Sequence, residues 1–250
     1  MINVLVLAAG QGARFKSEGI KVPKPLIFLK GKTLIAHAID SVGILNAKYR
    51  VLTRTFENNE LDTKMANEIR QAGAIEINFG DHPHNGPAYT ANLARSELEL
   101  QQSLDNPLII INCDQILNWD AREFLSFIEK EDPDGAVIIH KSTDPRNSFA
   151  KIIKGKIVEV IEKDVISNDA LVGFHYWKKA RYFFDSHEYI YSRRQEGHGE
   201  VYVSETYNVL IKNKYKILPF YFEEGQYIPL GIPEDLDKYS GSTLWRKENS

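Results

Sequence analysis

Residues 4–15, "VLVLAAGQGARF", open as an apolar run and close on small residues, two glycines and an arginine. Three readings compete for this stretch: a secretory leader, a plain turn, and a loop shaped for phosphate. The leader lacks a charged n-region, and the apolar run has the length of one buried strand, so that reading is set aside. Glycines at positions 10 and 12 would let the backbone bend with positive φ and let a ligand approach closely. Successive inward N–H groups can form an anion nest, and Arg14 adds a planar, permanently charged fork. The stretch is not a P-loop, and the near-miss "GKT" at 31–33 has no glycine in the required place. Nor is it a dinucleotide fingerprint, because Phe15 stands where the third glycine belongs. Taken alone, it fits a bend and a phosphate loop equally well.

Outward from this loop, short apolar runs alternate with helical patterns. "INVLVLA", "KYRVLTR", "AIEINF" and "PLIIINCD" read as strands; "TLIAHAIDSVGIL", "NELDTKMANEIRQAG" and "PAYTANLARSELELQQSL" read as helices, the last opened by Pro87. This alternation predicts an α/β fold with a Rossmann-like, mainly parallel sheet between helices. Ligands of such sheets sit beyond the carboxyl ends of the strands, which brings the loop after Leu7 to the same edge as the residues after Ile111. Beyond Asp134 the strands "GAVIIHK", "FAKII", "KIVEVIEK" and "ALVGFHYW" follow at shorter intervals, predicting an added antiparallel element. Two helices, the strand "YKILPFYF" and a helix from about Pro233 complete the pattern. The expectation is one domain over 1–250, with a half of about 1–134 and a second of about 135–250.

The chain has 250 residues, 43% apolar, 26% charged and 11% aromatic, with a net charge of -3. No basic arm or stripe points to nucleic acid, and no polybasic helix points to a membrane surface. The single cysteine, Cys113, excludes an intramolecular disulfide framework and a cysteine-based zinc site, and suits a reducing, cytoplasmic setting.

Several further motifs carry chemistry. In "KVPKPL" (21–26), prolines 23 and 25 stiffen the chain and fix where Lys24 points. "IIINCDQ" sets Asp114 directly after a buried strand, where a lone carboxylate can hold Mg²⁺ together with substrate phosphates, or simply cap a turn. Cys113 reads as a small buried hydrophobe. His82 and His84, two apart with no third ligand nearby, read together with Asp81 as a polar loop, whereas Gly86 is suited to close approach of a flat base. Lys163 is a phosphate ligand or a hairpin charge, and Glu200 and Glu205 suit a helix N-terminus.

The order of these motifs carries more than any one of them. "LAAGQGARF…VPKPL…GKTLIAHAID", followed by "NGPAYTA", "NCDQI", "EK", "VGFHYW" and "IPLGIPEDL", resembles the nucleotidyltransferases that activate sugar phosphates and related phosphorylated small molecules. The resemblance implies transfer of a nucleotidyl group from a nucleoside triphosphate to a substrate phosphate, with release of pyrophosphate and with Mg²⁺ as cofactor. It implies that Leu7, Ala8, Ala9, Gly10 and Gly12 hold the nucleotide, with Gly86, Pro87 and Ala88 against the base. Arg14 would meet the pyrophosphate, Lys24 the α-phosphate and Lys163 the acceptor's phosphate. Asp114 would hold the metal, and Gly173 and Glu200 would line the acceptor pocket.

The family commonly carries an aspartate two residues before the glycine of a C-terminal Gly-Thr-Pro-Glu. Here Pro229 occupies that position and Ile232 replaces the threonine, so a second carboxylate is absent or comes from elsewhere, with Glu205 and Asp235 as the candidates. The altered tail and short chain look most like small cytidylyltransferases of surface-polysaccharide (capsule) pathways, using CTP and acting on phosphocholine, phosphoglutamine or heptose phosphates. Hexose-1-phosphate enzymes using UTP, dTTP or GTP are the alternative, and a nucleotide-binding regulator without chemistry is a reading of another class. The expected partners are the triphosphate and the acceptor, with neither nucleic acid nor membrane; a homodimer is left open.

Overall fold

The opening strand, Ile2–Leu7, buries Val4, Leu5 and Val6 completely, as expected of a run apolar on both faces. It lies between two parallel neighbours, Ala47–Thr53 and Leu108–Asn112, and Ile75–Asn78 adds a fourth parallel strand outside Ala47–Thr53. The computed structural model describes residues 1–56, 58–80, 86–194 and 199–249. The predicted Asp81, His82 and His84 loop lies outside the described residues.

On the other side of Leu108–Asn112 the sheet turns antiparallel. Asp169–Trp177 runs against Leu108–Asn112 and against Gly135–Lys141, and the hairpin Ser148–Ile153/Lys156–Glu162 extends that side. Ile217–Tyr221 closes it in parallel with Gly135–Lys141. Among the described residues nine strands thus form one mixed sheet, parallel in the first half and mainly antiparallel in the second. No helix among them is long and apolar enough to cross a membrane.

Helices cover both faces, and their ends follow local chemistry. Leu34–Val42 begins where the Thr33 hydroxyl accepts from the Ala36 N–H, and it ends at Gly43, whose φ of 68° only glycine adopts without strain. Asn58 caps Asn59–Gln71 in the same way, and Asp120 caps Ala121–Glu131. One apolar cluster, including Val4, Val6, Ile109 and Phe124, fills one side of the sheet; another, with Leu5, Ile110, Trp177 and Tyr207, fills the other.

The structure departs from the sequence reading in a few places. The helix expected over 87–104 is two helices, Pro87–Asn92 and Arg95–Leu100. Tight three-residue bonds from the Leu93 and Ala94 N–H groups break the first helix. The bend lets Ala91 and Leu98 both reach the core. The Ala121–Glu131 helix and a short pairing of Tyr227–Pro229 with Gln115–Leu117 did not stand out in the sequence. Register in Asp169–Trp177 shifts between Leu171 and His175, a bulge of the kind that re-aims side chains beside functional sites.

Candidate functional site

Leu7 and Asn112 are register partners at the ends of adjacent parallel strands, so the glycine loop and the Asp114 turn meet at one sheet edge. A cavity of about 730 Å³ opens there, with Arg14, Lys24, Pro87, Asp114, Lys163 and Gly173 in its walls. Residues from both halves of the chain are therefore brought into one space.

Lys24 enters the cavity from a single 3₁₀ turn, Lys24–Leu26, with Pro23 before it and Pro25 inside it. That turn differs from the extended stretch expected there, but the prolines still aim the lysine. Its Nζ donates to Asp114 Oδ2 at 2.5 Å and to the Gly231 carbonyl at 3.1 Å. Burial alone would lower the lysine's pKa; the Asp114 carboxylate outweighs it, and the net displacement is upward. Lys24 is therefore a fixed cation at any working pH. Arg14 is exposed on the cavity wall and forms no ion pair with a described residue.

Asp114 follows the buried Leu108–Asn112 strand, and its side chain keeps about a quarter of its surface exposed. Cys113 beside it is a buried thiol whose pKa burial pushes up to about 12, which removes it as a nucleophile. Across Gly231 stands Asp235: a Cβ placed on that glycine would lie 3.5 Å from Asp114 Oδ2 and 3.7 Å from Asp235 Oδ2. Asp235 accepts from the Gly231 and Ile232 N–H groups and has Arg146 at 3.6 Å. Burial raises its pKa, and the Asp114 charge adds to the rise. Glu205 is tied to Arg194 at 2.9 Å and does not line this cavity. Pro229 pairs with Gln115 and contributes only wall.

Among the described residues no group of three or more His, Cys, Asp or Glu side chains could hold a metal by itself. The oxygen donors of Asp114 and Asp235 nonetheless fit Mg²⁺, which characteristically takes one or two carboxylates and completes its shell from substrate phosphates and water.

Lys163 directly follows the Lys156–Glu162 strand and has φ of 57°. Its Nζ donates to the Tyr202 hydroxyl at 2.6 Å, a bond that raises the lysine's pKa. Behind it, Glu162 accepts from the hydroxyls of Ser148 and Ser204.

Several expected site residues stand elsewhere. Leu7, Ala8, Ala9, Gly10 and Gly12 are outside the cavity's lining, and Ala8 and Ala9 are buried. Gly12 does take the positive φ expected of it, at 64°, but Gly10 does not. The freedom at Gly12 serves Lys24, whose Cβ would be 3.2 Å from an added Cβ. Gly86 has φ of 96°, yet the group pressed against it is the chain's own 200–201 backbone, where an added Cβ would meet Val201 at 2.7 Å. Ala88 is fully buried in the core and presents nothing to a ligand. Glu200 is exposed and outside the lining, because its Cβ packs on Gly86 and its carbonyl is held by Arg194. The cavity wall in that segment is instead Tyr202, Val203 and Ser204. Gly173 lines the cavity at the bulge, where a Cβ would collide with the Asn112 and Gln115 side chains. The sequence reading missed Arg146, Tyr202 and His175; the Asp-Pro turn before Arg146 and a histidine inside an otherwise apolar strand were the available signals.

Comparison with known proteins adds one decisive match: the MobA-like NTP transferase domain corresponds to residues 4–194. The chain belongs to this family. Among its curated relatives, the mannose-1-phosphate guanylyltransferase catalytic subunit beta of Xenopus tropicalis is 22% identical over 72% of this chain and 50% of its own length. The chain thus spans about half the length of that relative. The UTP–glucose-1-phosphate uridylyltransferase AglF of Haloferax volcanii is 24% identical over 95% of this chain and 94% of its own. Among solved structures, a nucleoside-diphosphate-sugar pyrophosphorylase from Vibrio cholerae RC9 superposes with a TM-score of 0.82 at 20% identity, covering 97% of this chain and all of that one. The inositol-1-phosphate CTP transferase from T. maritima gives 0.70 at 16% identity, over 98% and 96%. These likenesses establish the nucleotidyltransferase fold for this member of the MobA-like family.

Proposed function

We propose that this protein transfers a nucleoside monophosphate from a nucleoside triphosphate to a phosphorylated small molecule, releasing pyrophosphate. The observation that carries the reading is the convergence of Arg14, Lys24, Lys163 and Asp114 on one cavity at the carboxyl edge of the sheet. Three cations and one oxygen donor suit a reaction that joins two anions, in a chain belonging to the MobA-like family.

In this reading the acceptor's phosphate oxygen attacks the α-phosphorus. A new phosphorus–oxygen bond forms, the α–β bridge breaks, and the electron pair leaves with pyrophosphate. The nucleophile needs no general base, because the second pKa of a phosphate monoester is near 6 and it is already ionised at neutral pH. Catalysis then rests on positioning and charge neutralisation. The backbone of the 8–12 loop, outside the cavity's lining but leading directly into Arg14, is the proposed support of the triphosphate; Arg14 receives the departing pyrophosphate and Lys24 holds the α-phosphate. Lys163 orients the acceptor's phosphate, with Gly173 beside it, and Pro87 borders the base. Asp114, with Asp235 in place of the carboxylate missing at Pro229, would hold Mg²⁺, and the ion would supply charge neutralisation for the triphosphate.

The two halves, about 1–134 and 135–250, act in this proposal as the nucleotide and acceptor sides of one domain. CTP is the proposed donor and a surface-polysaccharide precursor the proposed product, on the likeness of the motif set to small cytidylyltransferases. The test is pyrophosphate release with CTP, UTP, GTP or dTTP against phosphorylated acceptors, in Mg²⁺. Turnover with CTP is expected; silence across the panel, with Arg14→Ala binding nucleotide as well as wild type, would sink the proposal.

A further inference from the structure

His175 is a polar ring in the buried strand Asp169–Trp177, directly after the bulge that opens the cavity floor. It is 8% exposed, it lines the cavity, and its Nδ1 is buried with no hydrogen-bond partner among the described residues. Nδ1 is sealed from the cavity, and leaving it unpaired is destabilising; Nε2, which is not sealed and has no hydrogen-bond partner among the described residues, is the nitrogen this ring can offer a ligand. Two aromatic rings flank it, Trp177 at 6.0 Å and Tyr207 at 5.8 Å between centroids, and neither supplies a hydrogen-bond partner. Phenylalanine would pack there without the penalty.

We propose that His175 is a specificity-determining residue that reads an uncharged hydroxyl on the non-phosphate body of the acceptor; this rests on the nucleotidyl-transfer reading above. Burial pulls the His175 pKa down to about 3, so the ring is neutral at every working pH. The accessible nitrogen of a neutral imidazole can accept from a hydroxyl or, as N–H, donate to one, and it brings no charge for a phosphate. The phosphate has its own cation in Lys163, on the same cavity.

The surrounding chemistry favours a polyol over a quaternary ammonium group. A trimethylammonium group needs open aromatic faces. The Tyr202 ring is covered by Lys163 Nζ at 4.4 Å, and Tyr227 faces His140 at 4.8 Å. Ser148 and Ser204, donating to Glu162, and the amide of Asn112 instead make a polar wall.

The experiment uses the full chain with glucose 1-phosphate, mannose 1-phosphate, myo-inositol 1-phosphate, their monodeoxy analogues, and phosphocholine. His175→Phe keeps the stack, and His175→Gln keeps a polar group should the first variant fail to fold; circular dichroism and melting establish which are folded. For the polyol phosphate that turns over best, the variant should raise the acceptor KM about 10- to 100-fold while the nucleotide KM moves less than twofold. The deoxy analogue lacking the hydroxyl read by His175 should be used equally well by wild type and variant. Without any turnover, the ¹⁵N resonances of the His175 ring in wild type should still shift when the polyol phosphate is added alone. A folded variant with unchanged acceptor KM, equal movement of both KM values, or ring resonances indifferent to every acceptor would each overturn the proposal. A ring shift without pyrophosphate release would overturn the nucleotidyl-transfer reading while leaving His175 as an acceptor ligand.

Discussion

Replacing Lys24 with methionine removes one charge and keeps most of the stem. In the folded protein Nζ joins Asp114 Oδ2 at 2.5 Å to the Gly231 carbonyl at 3.1 Å, with side-chain exposures of 16% for the lysine and 25% for the aspartate. Deleting one partner of a fully buried pair destabilises by about 3–5 kcal/mol, because the other charge is stranded. Asp114 still reaches water and Lys24 no longer has to be desolvated, so the expected loss is smaller, about 1–2 kcal/mol. For a chain of this length that lowers Tm by roughly 2–8 °C. The catalytic loss should be larger: removing a charge-assisted donor from a developing oxyanion raises the barrier by about 2.7–4 kcal/mol, or roughly 100- to 1000-fold in kcat. Pyrophosphate release, followed alongside a thermal melt, separates the two effects. Lys24→Arg should recover more stability than rate, since a planar fork cannot reproduce both contacts of a compact ammonium. A Lys24→Met enzyme with kcat within threefold of wild type would refute the placement of this lysine on the α-phosphate.

Acidification should unfold the protein through its buried histidines. Burial holds His175 at about 3 and His187 at about 4, against 6.5 in an unfolded chain. The unfolded state therefore takes up protons first, so the stability is full above pH 6.5 and is lost as pH falls toward those values. Each ring should remove about 2 kcal/mol by pH 5, measured by urea titration, and His175→Phe should flatten part of the slope. Gly12→Ala, at φ 64° with Lys24 against the new methyl group, should destabilise by about 1–2 kcal/mol, whereas Gly10→Ala, with open space, should stay within about 0.5 kcal/mol by the same titration. Arg50 is fully buried and bonded to Asn3, Glu97 and Gln101, so Arg50→Met should lower stability by about 3 kcal/mol and leave both substrate KM values unchanged.

The parallel half of the fold was legible because its strands are buried on both faces and its helices carry their own caps, such as Thr33 and Asn58. The parallel strands Ile2–Leu7 and Leu108–Asn112 share a carboxyl edge, which accounts for Arg14 and Asp114 on one cavity; Lys24 and Lys163 reach it from a 3₁₀ turn and the end of an antiparallel strand. The reading of individual glycines was less dependable. Gly12 and Gly86 look alike as permissive residues, but one accommodates Lys24 and the other the 200–201 backbone, and only tertiary packing distinguishes a close approach by the chain from one by a ligand. Glu200 stands out in the sequence as an acid, whereas the wall residues Tyr202, Val203 and Ser204 lie in an irregular segment whose facing no sequence period reveals. His175 is not legible as a site residue, because a histidine in an apolar strand carries no sign in the sequence of whether its nitrogens find partners.

Phosphorus NMR of the wild-type protein with CTP, Mg²⁺ and a polyol phosphate tests nucleotidyl transfer most directly. The account predicts a coupled pair of doublets from a new pyrophosphate diester, growing in one-to-one proportion with free pyrophosphate and slowed about 100-fold or more in Lys24→Met. Orthophosphate in place of pyrophosphate, or an unchanged triphosphate spectrum with each common nucleoside triphosphate in turn, would contradict it.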